Sequence, residues 1–217
     1  MRNCSFQCVY KRLDRHYGPQ EWWPAETPFE VMVGAVLTQN TAWNNVEKAI
    51  DALRNAELLQ PESIHAADAG MLAELIRPAG YFKVKAVRLK ALVGWLMEQG
   101  GIEVLASMPI KDLRHELLSV HGIGPETADD ILLYAFGHPV FVIDAYTRRM
   151  FSRLGLIDEQ ADYELLRRQF ETELGKEAAV YNQYHALIVV QAKEVCRKKP
   201  HCDKCCLADV CRYPIND

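Results

Sequence analysis

The sequence predicts an all-α protein built around a helix-hairpin-helix, and three observations lead to this fold class. Apolar residues recur at helical spacing along nearly the whole chain of 217 residues. Between Leu113 and Phe136, two such segments are separated by the turn His121-Gly122-Ile123-Gly124. Pro125 stands at a natural first position of the second helix, and Gly137 follows it as a C-cap.

The first strong helix, from Phe29 to Leu37, follows the capping box Thr27-Pro28-Phe29-Glu30. It is apolar enough to be central and buried. It ends at Thr38-Gln39-Asn40-Thr41, and an amphipathic helix follows from Trp43 to Leu53. From the residues alone, this polar stretch is most simply a turn that caps the next helix.

A helix through Met71 and Ile76 stops at Pro78-Ala79-Gly80, and another follows with Ala86, Leu89, Val93 and Leu96 on one face. The turn between them is Tyr81-Phe82-Lys83-Val84-Lys85. An aromatic side chain beside lysines suits a wedge between stacked bases, with the cations on the DNA backbone. The alternative is an aromatic side chain that anchors the loop to the core, which fits Phe82 better than Tyr81.

The hairpin turn has the composition of an anion site. Gly122 and Gly124 flank Ile123, and such a turn leaves backbone N–H groups without partners, which suits a phosphate oxygen. Glycine is needed because a Cβ would block both the turn and the approach of the phosphate. An ordinary αα-hairpin with a glycine C-cap fits the same pattern.

A carboxylate follows the hairpin. The apolar run Val140 to Ile143 is strand-like and ends in Asp144, after which the chain is again helical. Asp144 is thereby carried on a buried segment to a helix N-terminus. Aspartate is among the commonest N-cap residues, so capping explains it without any chemistry.

Composition indicates an ordinary globule of one domain or two small ones, with a net charge of −4. No apolar run approaches the ~20 residues that span a bilayer, and the N-terminus lacks an apolar leader region. We therefore expect a cytoplasmic protein without a membrane partner, nucleoid-associated in a prokaryote. The net charge argues mildly against nucleic acid, but local patches decide binding. Two basic patches are Lys83, Lys85, Arg88 and Lys90, and Arg197, Lys198, Lys199, His201 and Lys204.

Seven cysteines without an export signal do not favour a disulfide framework. Four cluster near the end of the chain, at Cys196, Cys202, Cys205 and Cys211. Four thiolates suit either zinc or an iron–sulfur cluster, and the single C-x2-C pair leans toward the cluster. Cys206 is the spare thiol, although Cys202 with Cys206 is an alternative pair. We expect Cys4, Cys8 and Cys206 to be inert buried thiols.

The hairpin G-I-G-P-E-T-A, the run V-F-V-I-D and the cysteine tail together resemble the endonuclease III family of helix-hairpin-helix DNA glycosylases. The resemblance extends from about Thr27 to Cys211. It implies a two-lobed fold, with a six-helix lobe over residues 27–136 that contains the hairpin. Residues 1–26 and 137–217 form the second lobe, with a C-terminal iron–sulfur cluster loop. It also implies a [4Fe–4S] cluster on the four clustered cysteines, although the family's first loop is one residue longer.

The resemblance assigns roles to single residues. Asp144 matches the family's catalytic aspartate, and Glu126 stands where strand-cleaving members carry a lysine. A carboxylate cannot form the Schiff base that strand cleavage needs. Glu126 is a candidate catalytic residue, and in the plainer interpretation it complements the helix dipole. Gln39 corresponds to the side chain that fills the gap left by a flipped base, and Tyr81 to the intercalating one. The expected DNA-contacting residues are Gln39, Tyr81, Lys83, Lys85, His121, Gly122, Ile123, Gly124 and Thr127.

The substrate prediction depends on Trp22-Trp23-Pro24. The two tryptophans serve either lobe packing or the base pocket. An N-alkylated purine is cationic, binds well between electron-rich rings and needs little acid assistance to leave. W-W-P together with Glu126 is similar to bacterial 3-methyladenine glycosylases of the endonuclease III type.

We therefore expect a monofunctional DNA glycosylase of base excision repair, a monomer acting on double-stranded DNA that contains a damaged base such as 3-methyladenine. One alternative is an endonuclease III-like glycosylase for oxidised or mismatched pyrimidines, with or without lyase activity. A second alternative, from another class, is a non-catalytic binder of DNA structure that uses the hairpin and the cysteine loop alone.

Overall fold

The computed structural model describes residues 4–20 and 22–213, and within these ranges it is helical without any β-strand. The predicted all-α class is confirmed. No helix in the described part of the chain is long and apolar enough to cross a membrane. The α-helices are α1 (Phe6–Tyr17), α2 (Pro28–Leu37), α3 (Trp43–Asn55), α4 (Pro61–Ala66), α5 (Ala69–Leu75), α6 (Phe82–Glu98), α7 (Ile102–Ser107), α8 (Ile110–Ser119), α9 (Pro125–Asp130), α10 (Ala145–Leu154), α11 (Tyr163–Leu174) and α12 (Ala178–Glu194). Shorter 3₁₀ turns are Arg77–Ala79, Cys202–Lys204 and Ala208–Val210.

The chain forms two compact units. The central unit is continuous from Trp23 to His138, and the split unit contains the chain up to Trp22 and from Pro139 onward. The sequence-based boundaries lie close by, at 26/27 and 136/137. The earlier start of the central unit has a physical reason, because the Trp23 ring packs within that unit against Trp43 and Tyr134, with centroid distances of 5.3 and 4.8 Å.

Helix α2 lies in the core of the central unit, and all of its residues after Pro28 are buried. It begins as predicted, with Thr27 Oγ1 accepting a hydrogen bond from the Glu30 N–H at 3.1 Å. The second half of the capping box differs from the prediction. The Glu30 carboxylate accepts from the Glu26 N–H at 3.3 Å and pairs with Arg54 at 2.7 Å. Glu30 is only 3% exposed, and its buried carboxylate pairs with the Arg54 guanidinium instead of accepting the Thr27 N–H that would complete the capping box.

The split unit is held by aromatic packing among α1, α10, α11, α12 and the segment before α10. Phe170 is the centre of this core, with ring centroids 4.6 Å from Phe6, 4.4 Å from Phe141 and 4.7 Å from Phe151. Tyr184 borders the same cluster and donates its hydroxyl to the Phe6 carbonyl at 2.7 Å. The rings of Phe141, Phe151, Phe170 and Tyr184 are fully buried in this core, and Asp144 is the N-cap of α10 in the same unit.

The second helix of the hairpin changes its winding after one and a half turns. Helix α9 continues directly into π-helical turns at Ile131–Ala135, where the sequence pattern predicts a continuous α-helix. Ala128, Ile131, Leu132 and Leu133 are buried, whereas Ala135 and Phe136 are half-buried. The apolar spacing of this segment did not distinguish α-helical from π-helical winding. The helix ends with Gly137 at φ +66° and the His138 N–H on the Leu132 carbonyl at 2.9 Å, close to the predicted C-cap.

The strand-like prediction for Val140 to Ile143 is wrong in its secondary structure and correct in its burial. The four side chains are at most 3% exposed, but the segment joins no strand in residues 4–20 and 22–213. Its N–H groups find side-chain acceptors instead. The Phe141 N–H donates to Glu171 Oε1 at 3.2 Å, and the Ile143 N–H to the Tyr163 hydroxyl at 3.4 Å.

Cys4 and Cys8 are bonded as a disulfide, with their Cα atoms 5.4 Å apart. The expectation of two free, inert thiols is wrong for this pair. Cys4 precedes the Ser5 N-cap and Cys8 lies in the first turn of α1, so the backbone around the cap holds the two residues close together. Ser5, between them, caps the helix by accepting the Cys8 N–H.

Candidate functional site

The hairpin turn joins α8 to α9 and has the predicted form. Gly122 has φ +86°, and a Cβ at this position would lie 2.3 Å from Arg88 Cγ, so both the backbone and the neighbouring side chain require glycine. The Ile123 side chain is 5% exposed, and its N–H donates to the Val120 carbonyl at 3.0 Å. In the described part of the chain, the N–H groups of Gly122 and Gly124 have no acceptor. The turn therefore presents two backbone donors to an anion.

Gln39 is bound to this hairpin within the central unit. Its Nε2 donates to the Gly122 carbonyl at 3.1 Å and to Thr127 Oγ1 at 2.9 Å. Its Oε1 accepts a hydrogen bond from Arg88 Nη1. Both N–H groups of the amide are thus used and Oε1 accepts one of the two hydrogen bonds it can accept. The Thr127 side chain, 6% exposed, faces Gln39. Because the Thr127 side chain is engaged with Gln39, the expected DNA contact of Thr127 would have to be made by its backbone.

Tyr81 projects from the turn before α6. Its ring is 73% exposed, as expected for a wedge, while Phe82 is half-buried with the Arg77 guanidinium 4.9 Å from its ring centroid. Tyr81 is the N-cap of α6 and has φ +46°, an uncommon conformation for a residue with a Cβ. Lys83, two residues further along the chain, is also exposed. An aromatic ring and a cation are therefore both available on this surface.

Lys85 is a correction to the sequence-based prediction. It is 1% exposed, and its ammonium donates to the Leu37 carbonyl at 2.7 Å, the Ala79 carbonyl at 2.8 Å and Thr41 Oγ1 at 2.6 Å. Its three N–H donors are matched by three oxygens of the protein, so none remains for a DNA phosphate. Burial, with a smaller repulsion from Arg88, lowers the pKa of Lys85 to about 8.

The predicted basic patch on α6 is not a patch in the structure. Arg88 contacts Gln39, and the Lys90 ammonium donates to the carbonyls of His65 and Ala67, at 2.8 Å for His65. Only Lys83 of the four cations is exposed. Helical spacing could have revealed this, because Lys85 lies four residues before Leu89 on the apolar stripe of α6.

Trp22 and Trp23 belong to different units. In the central unit, the Trp23 ring stacks on Tyr134 with an interplanar angle of 24° and meets Trp43 edge-on at 66°. Its edge lies against α2, where a Cβ on Gly34 would be 3.4 Å away. The indole N–H groups of both Trp22 and Trp23 are buried and have no acceptor among residues 4–20 and 22–213. Tyr134, in the π-helical turns, was not singled out from the sequence.

Asp144, in the split unit, has two carboxylate oxygens with different surroundings. Oδ1 accepts the Thr147 N–H at 2.7 Å and caps α10, and Oδ2 lies 3.6 Å from His185 Nε2 on α12. The predicted capping role is therefore real, and it occupies only one oxygen. Asp144 is 9% exposed. Burial alone would raise its pKa, but His185 and the Thr147 N–H outweigh burial, so the pKa lies below its ordinary value. The carboxylate is ionised at neutral pH.

Glu126 and His121 are both exposed on the central unit. Glu126 lies in the first turn of α9, where a carboxylate complements the helix dipole. His121 precedes Gly122 in the turn. The structure brings together Gln39, Thr127 and the hairpin glycines, and separately Asp144 and His185.

The four clustered cysteines line one cavity of the split unit together with Arg153 and Tyr213. Cys206 is not among the lining residues. No three or more His, Cys, Asp or Glu side chains in residues 4–20 and 22–213 converge on a point that would hold a single metal ion. Zinc requires four donors within about 2.3 Å of one centre. The donor set of the cavity is four thiols, which suits either zinc or an iron–sulfur cluster.

Hydrogen-bond donors reach two of these sulfurs. Gln191 Nε2 donates to Cys205 Sγ at 3.1 Å, and the Tyr17 hydroxyl donates to Gln191 Oε1 at 2.6 Å, which fixes the orientation of the amide. Arg153 Nη1 lies 3.4 Å from Cys196 Sγ. Burial, reinforced by neighbouring sulfurs, raises the pKa of Cys205 to about 11. A cationic group in the cavity would favour the thiolates.

Comparisons with known proteins show the family of this chain. Residues 33–176 match the family described as HhH-GPD superfamily base excision DNA repair protein. The protein named "Putative DNA repair glycosylase MJ1434" from Methanocaldococcus jannaschii is 50% identical over 206 residues, which cover 94% of each chain.

Two solved structures are also similar. The H. pylori 3-methyladenine DNA glycosylase MagIII bound to 1,N6-ethenoadenine has a TM-score of 0.75 and 31% identity, covering 86% of this chain and 96% of that one. A non-covalent endonuclease III–DNA complex has a TM-score of 0.82 at 21% identity, covering 95% of this chain and 93% of that one. The second likeness concerns the fold.

Proposed function

We propose, from the premise that this chain belongs to the HhH-GPD superfamily of base excision DNA repair proteins, that it is a monofunctional DNA glycosylase for N-alkylated purines such as 3-methyladenine. The observation that carries the proposal is the ionised, buried carboxylate of Asp144, which has one oxygen on the α10 cap and the other beside His185. The family makes the chain a DNA glycosylase of base excision repair, and we propose in addition its substrate and its lack of lyase activity.

The chemistry follows from the charge on Asp144. The C1′–N bond of an extruded nucleotide breaks with its electron pair leaving on the base, so the sugar becomes an oxocarbenium-like cation. A fixed anion stabilises that cation. Water then bonds to C1′ and releases its proton to solvent, which leaves an abasic site. Because the pKa of Asp144 is lowered by His185 and Thr147 against the effect of burial, the carboxylate acts as a charge rather than as a strong base.

The leaving group supports an alkylated purine. A 3-methyladenine base is already cationic in DNA and departs neutral, so it needs no general acid. The electron-rich rings of Trp23, Tyr134 and Trp43 form one aromatic cluster, in which Trp23 stacks on Tyr134 and meets Trp43 edge-on, and such rings attract a cationic base. The buried N–H group of Trp23 is a candidate donor to it. The likeness to the H. pylori enzyme, at 31% identity, points to the same substrate class.

Glu126 supports the monofunctional assignment. Strand cleavage needs an amine that attacks C1′, and a carboxylate in the first turn of α9 cannot form a Schiff base. We assign Glu126 no covalent role. We propose double-stranded DNA as the partner, contacted by Gln39, Tyr81, Lys83, His121 and the hairpin backbone, with a monomeric protein as the active form.

We further propose that Cys196, Cys202, Cys205 and Cys211 hold a [4Fe–4S] cluster, with zinc as the less suitable occupant. The cluster would fix the basic loop after α12 as a structural element. Arg153 and Gln191 would hydrogen-bond to two of the coordinating sulfurs. Cys206 would remain a free thiol.

The proposed function is tested by incubating the purified protein with duplexes that carry 3-methyladenine, thymine glycol or a T·G mismatch. Free base is measured by chromatography, and borohydride is added in parallel to trap any Schiff base. We expect release of 3-methyladenine without trapping. Preferential release from the pyrimidine substrates would replace the substrate assignment, and a trapped adduct would overturn the monofunctional one. No release from any duplex would favour a DNA-structure binder.

A further inference from the structure

Three loops of the central unit meet at the first two turns of α6. The gap loop is residues 38–41 with Gln39, the wedge loop is residues 77–81 with Tyr81, and the hairpin loop is residues 120–124. Each is an expected DNA-contacting loop. Two cations of α6, Lys85 and Arg88, connect them, although the sequence had assigned both to a surface patch.

Lys85 fixes the backbones of two loops. Its ammonium donates hydrogen bonds to the Leu37 carbonyl at the end of α2, to Thr41 Oγ1 in the gap loop and to the Ala79 carbonyl in the wedge loop. The Thr41 hydroxyl in turn donates to the Ala79 carbonyl at 2.5 Å. Gap loop and wedge loop are thereby fastened to each other below their exposed side chains. This fastening does not involve Arg88.

Arg88 controls the side chain of Gln39. Its alkyl part lies across Gly122, in the space that a Cβ would need, and its Nη1 donates to Gln39 Oε1. Because Oε1 faces the guanidinium, the amide nitrogen must face the hairpin loop. There it donates to the Gly122 carbonyl and to Thr127 Oγ1. In the reversed amide, the two Nε2 hydrogens would face the Arg88 guanidinium, and Oε1 would face the Gly122 carbonyl oxygen.

We propose that Arg88 is a positioning residue that presents Gln39, in one amide orientation, to the gap left by an extruded nucleotide. Arg88 links this orientation to the hairpin loop, so phosphate binding and gap filling share one hydrogen-bond network. The proposal rests on the proposed function, since it assumes that Gln39 meets a gapped duplex. Arg88 touches neither substrate nor reacting atoms and acts through Gln39.

The test is a double-mutant cycle on DNA binding. The dissociation constants are measured by fluorescence anisotropy for an intact duplex and for a duplex with a tetrahydrofuran abasic analogue. Gln39→Ala and Arg88→Met are each expected to reduce the preference for the abasic duplex about tenfold, the effect of a charge-assisted hydrogen bond. The double variant is expected to lose no more than either single variant. Arg88→Lys, which retains a cationic donor, is expected to recover part of the preference.

Lys83→Met is the matched control for loss of a cation on α6. Its side chain is exposed, so it is expected to weaken binding to both duplexes alike and to add to the effect of Gln39→Ala. Additive losses for Arg88→Met and Gln39→Ala would overturn the proposal, since Arg88 would then act independently of Gln39. If Arg88→Met does not fold, as judged by its melting temperature, the cycle is repeated with Arg88→Lys. The losses of preference caused by Arg88→Lys and Gln39→Ala are then expected to be less than additive, and additive losses would overturn the proposal.

A second measurement separates this inference from the proposed function. 2-Aminopurine opposite the abasic analogue reports whether the gap is filled, and wild type is expected to change its fluorescence where Arg88→Met does not. A wild-type protein with no preference for the abasic duplex would refute gap recognition itself. A wild-type preference that Arg88→Met leaves intact would refute only the role of Arg88.

Discussion

Replacing Asp144 by asparagine or by alanine separates the folding role of this residue from its chemical role. Asparagine retains an oxygen for the Thr147 N–H, held at 2.7 Å, and is itself a good N-cap, so we expect a stability loss below about 1 kcal/mol. Alanine removes the cap and is expected to cost about 1–2 kcal/mol. The His185 contact, at 3.6 Å, is longer than a hydrogen bond and adds less.

The loss in the rate of base release, unlike the loss in stability, should be the same for the asparagine and alanine variants. A unit charge about 4 Å from the developing cation is worth about 4 kcal/mol at an effective dielectric constant of about 20. Both variants lose that charge, so both are expected to lose about 10³-fold in the rate of base release. The rate is measured in single-turnover reactions with excess protein on a 3-methyladenine duplex, and stability is measured by urea unfolding.

The pH dependence of stability provides an independent check. The folded-state pKa of Asp144 lies below the ordinary 3.8 because His185 and Thr147 outweigh burial. Its contribution to stability is therefore present above pH 3.8 and lost as the pH falls through the folded value. Asp144→Asn should lack this acid-side loss. Base release by Asp144→Asn within threefold of wild type would refute the electrostatic role.

Three further predictions concern other residues. Glu126→Lys is expected to produce a borohydride-trappable adduct with damaged DNA, whereas Glu126→Gln should not; no adduct from the lysine variant would place this position away from C1′. Cys205→Ser is expected to lower iron content and absorbance near 400 nm, while Cys206→Ser retains both; equal losses would contradict the assignment of Cys206 as the spare thiol. Burial lowers the folded-state pKa of Lys85 to about 8, whereas the unfolded chain keeps the proton up to about pH 10.5. The unfolding free energy of wild type relative to Lys85→Met is therefore expected to rise between these two pH values. A difference in urea midpoints that does not change with pH would contradict this shift.

The hairpin was predictable from the sequence because its chemistry is local. Gly122 needs a positive φ, and Pro125 needs a first-turn position, so each residue specifies its own backbone. The buried α2 was predictable for a similar reason, since nine apolar or small residues in ten leave it no solvent face. Asp144 as a cap also followed from residue type and position.

Side-chain partners were less predictable, because they depend on residues far apart in the chain. Lys85 binds Leu37 and Thr41, more than forty positions away, and a lysine beside other cations is ordinarily a surface residue. Its place on the apolar stripe of α6 was the available signal. The π-helical turns at Ile131–Ala135 carried no such signal, because the apolar residues of this segment also fit an α-helix.

At Tyr81, the features that suit the proposed recognition of DNA lower the thermal stability of the protein. A left-handed backbone under a side chain, and a ring that is 73% exposed, both work against folding. Glycine would adopt φ +46° freely and should raise the melting temperature while removing the proposed wedge. A selection for heat tolerance alone would therefore tend to discard this ring, so an engineering screen should score damaged-DNA affinity alongside survival on heating.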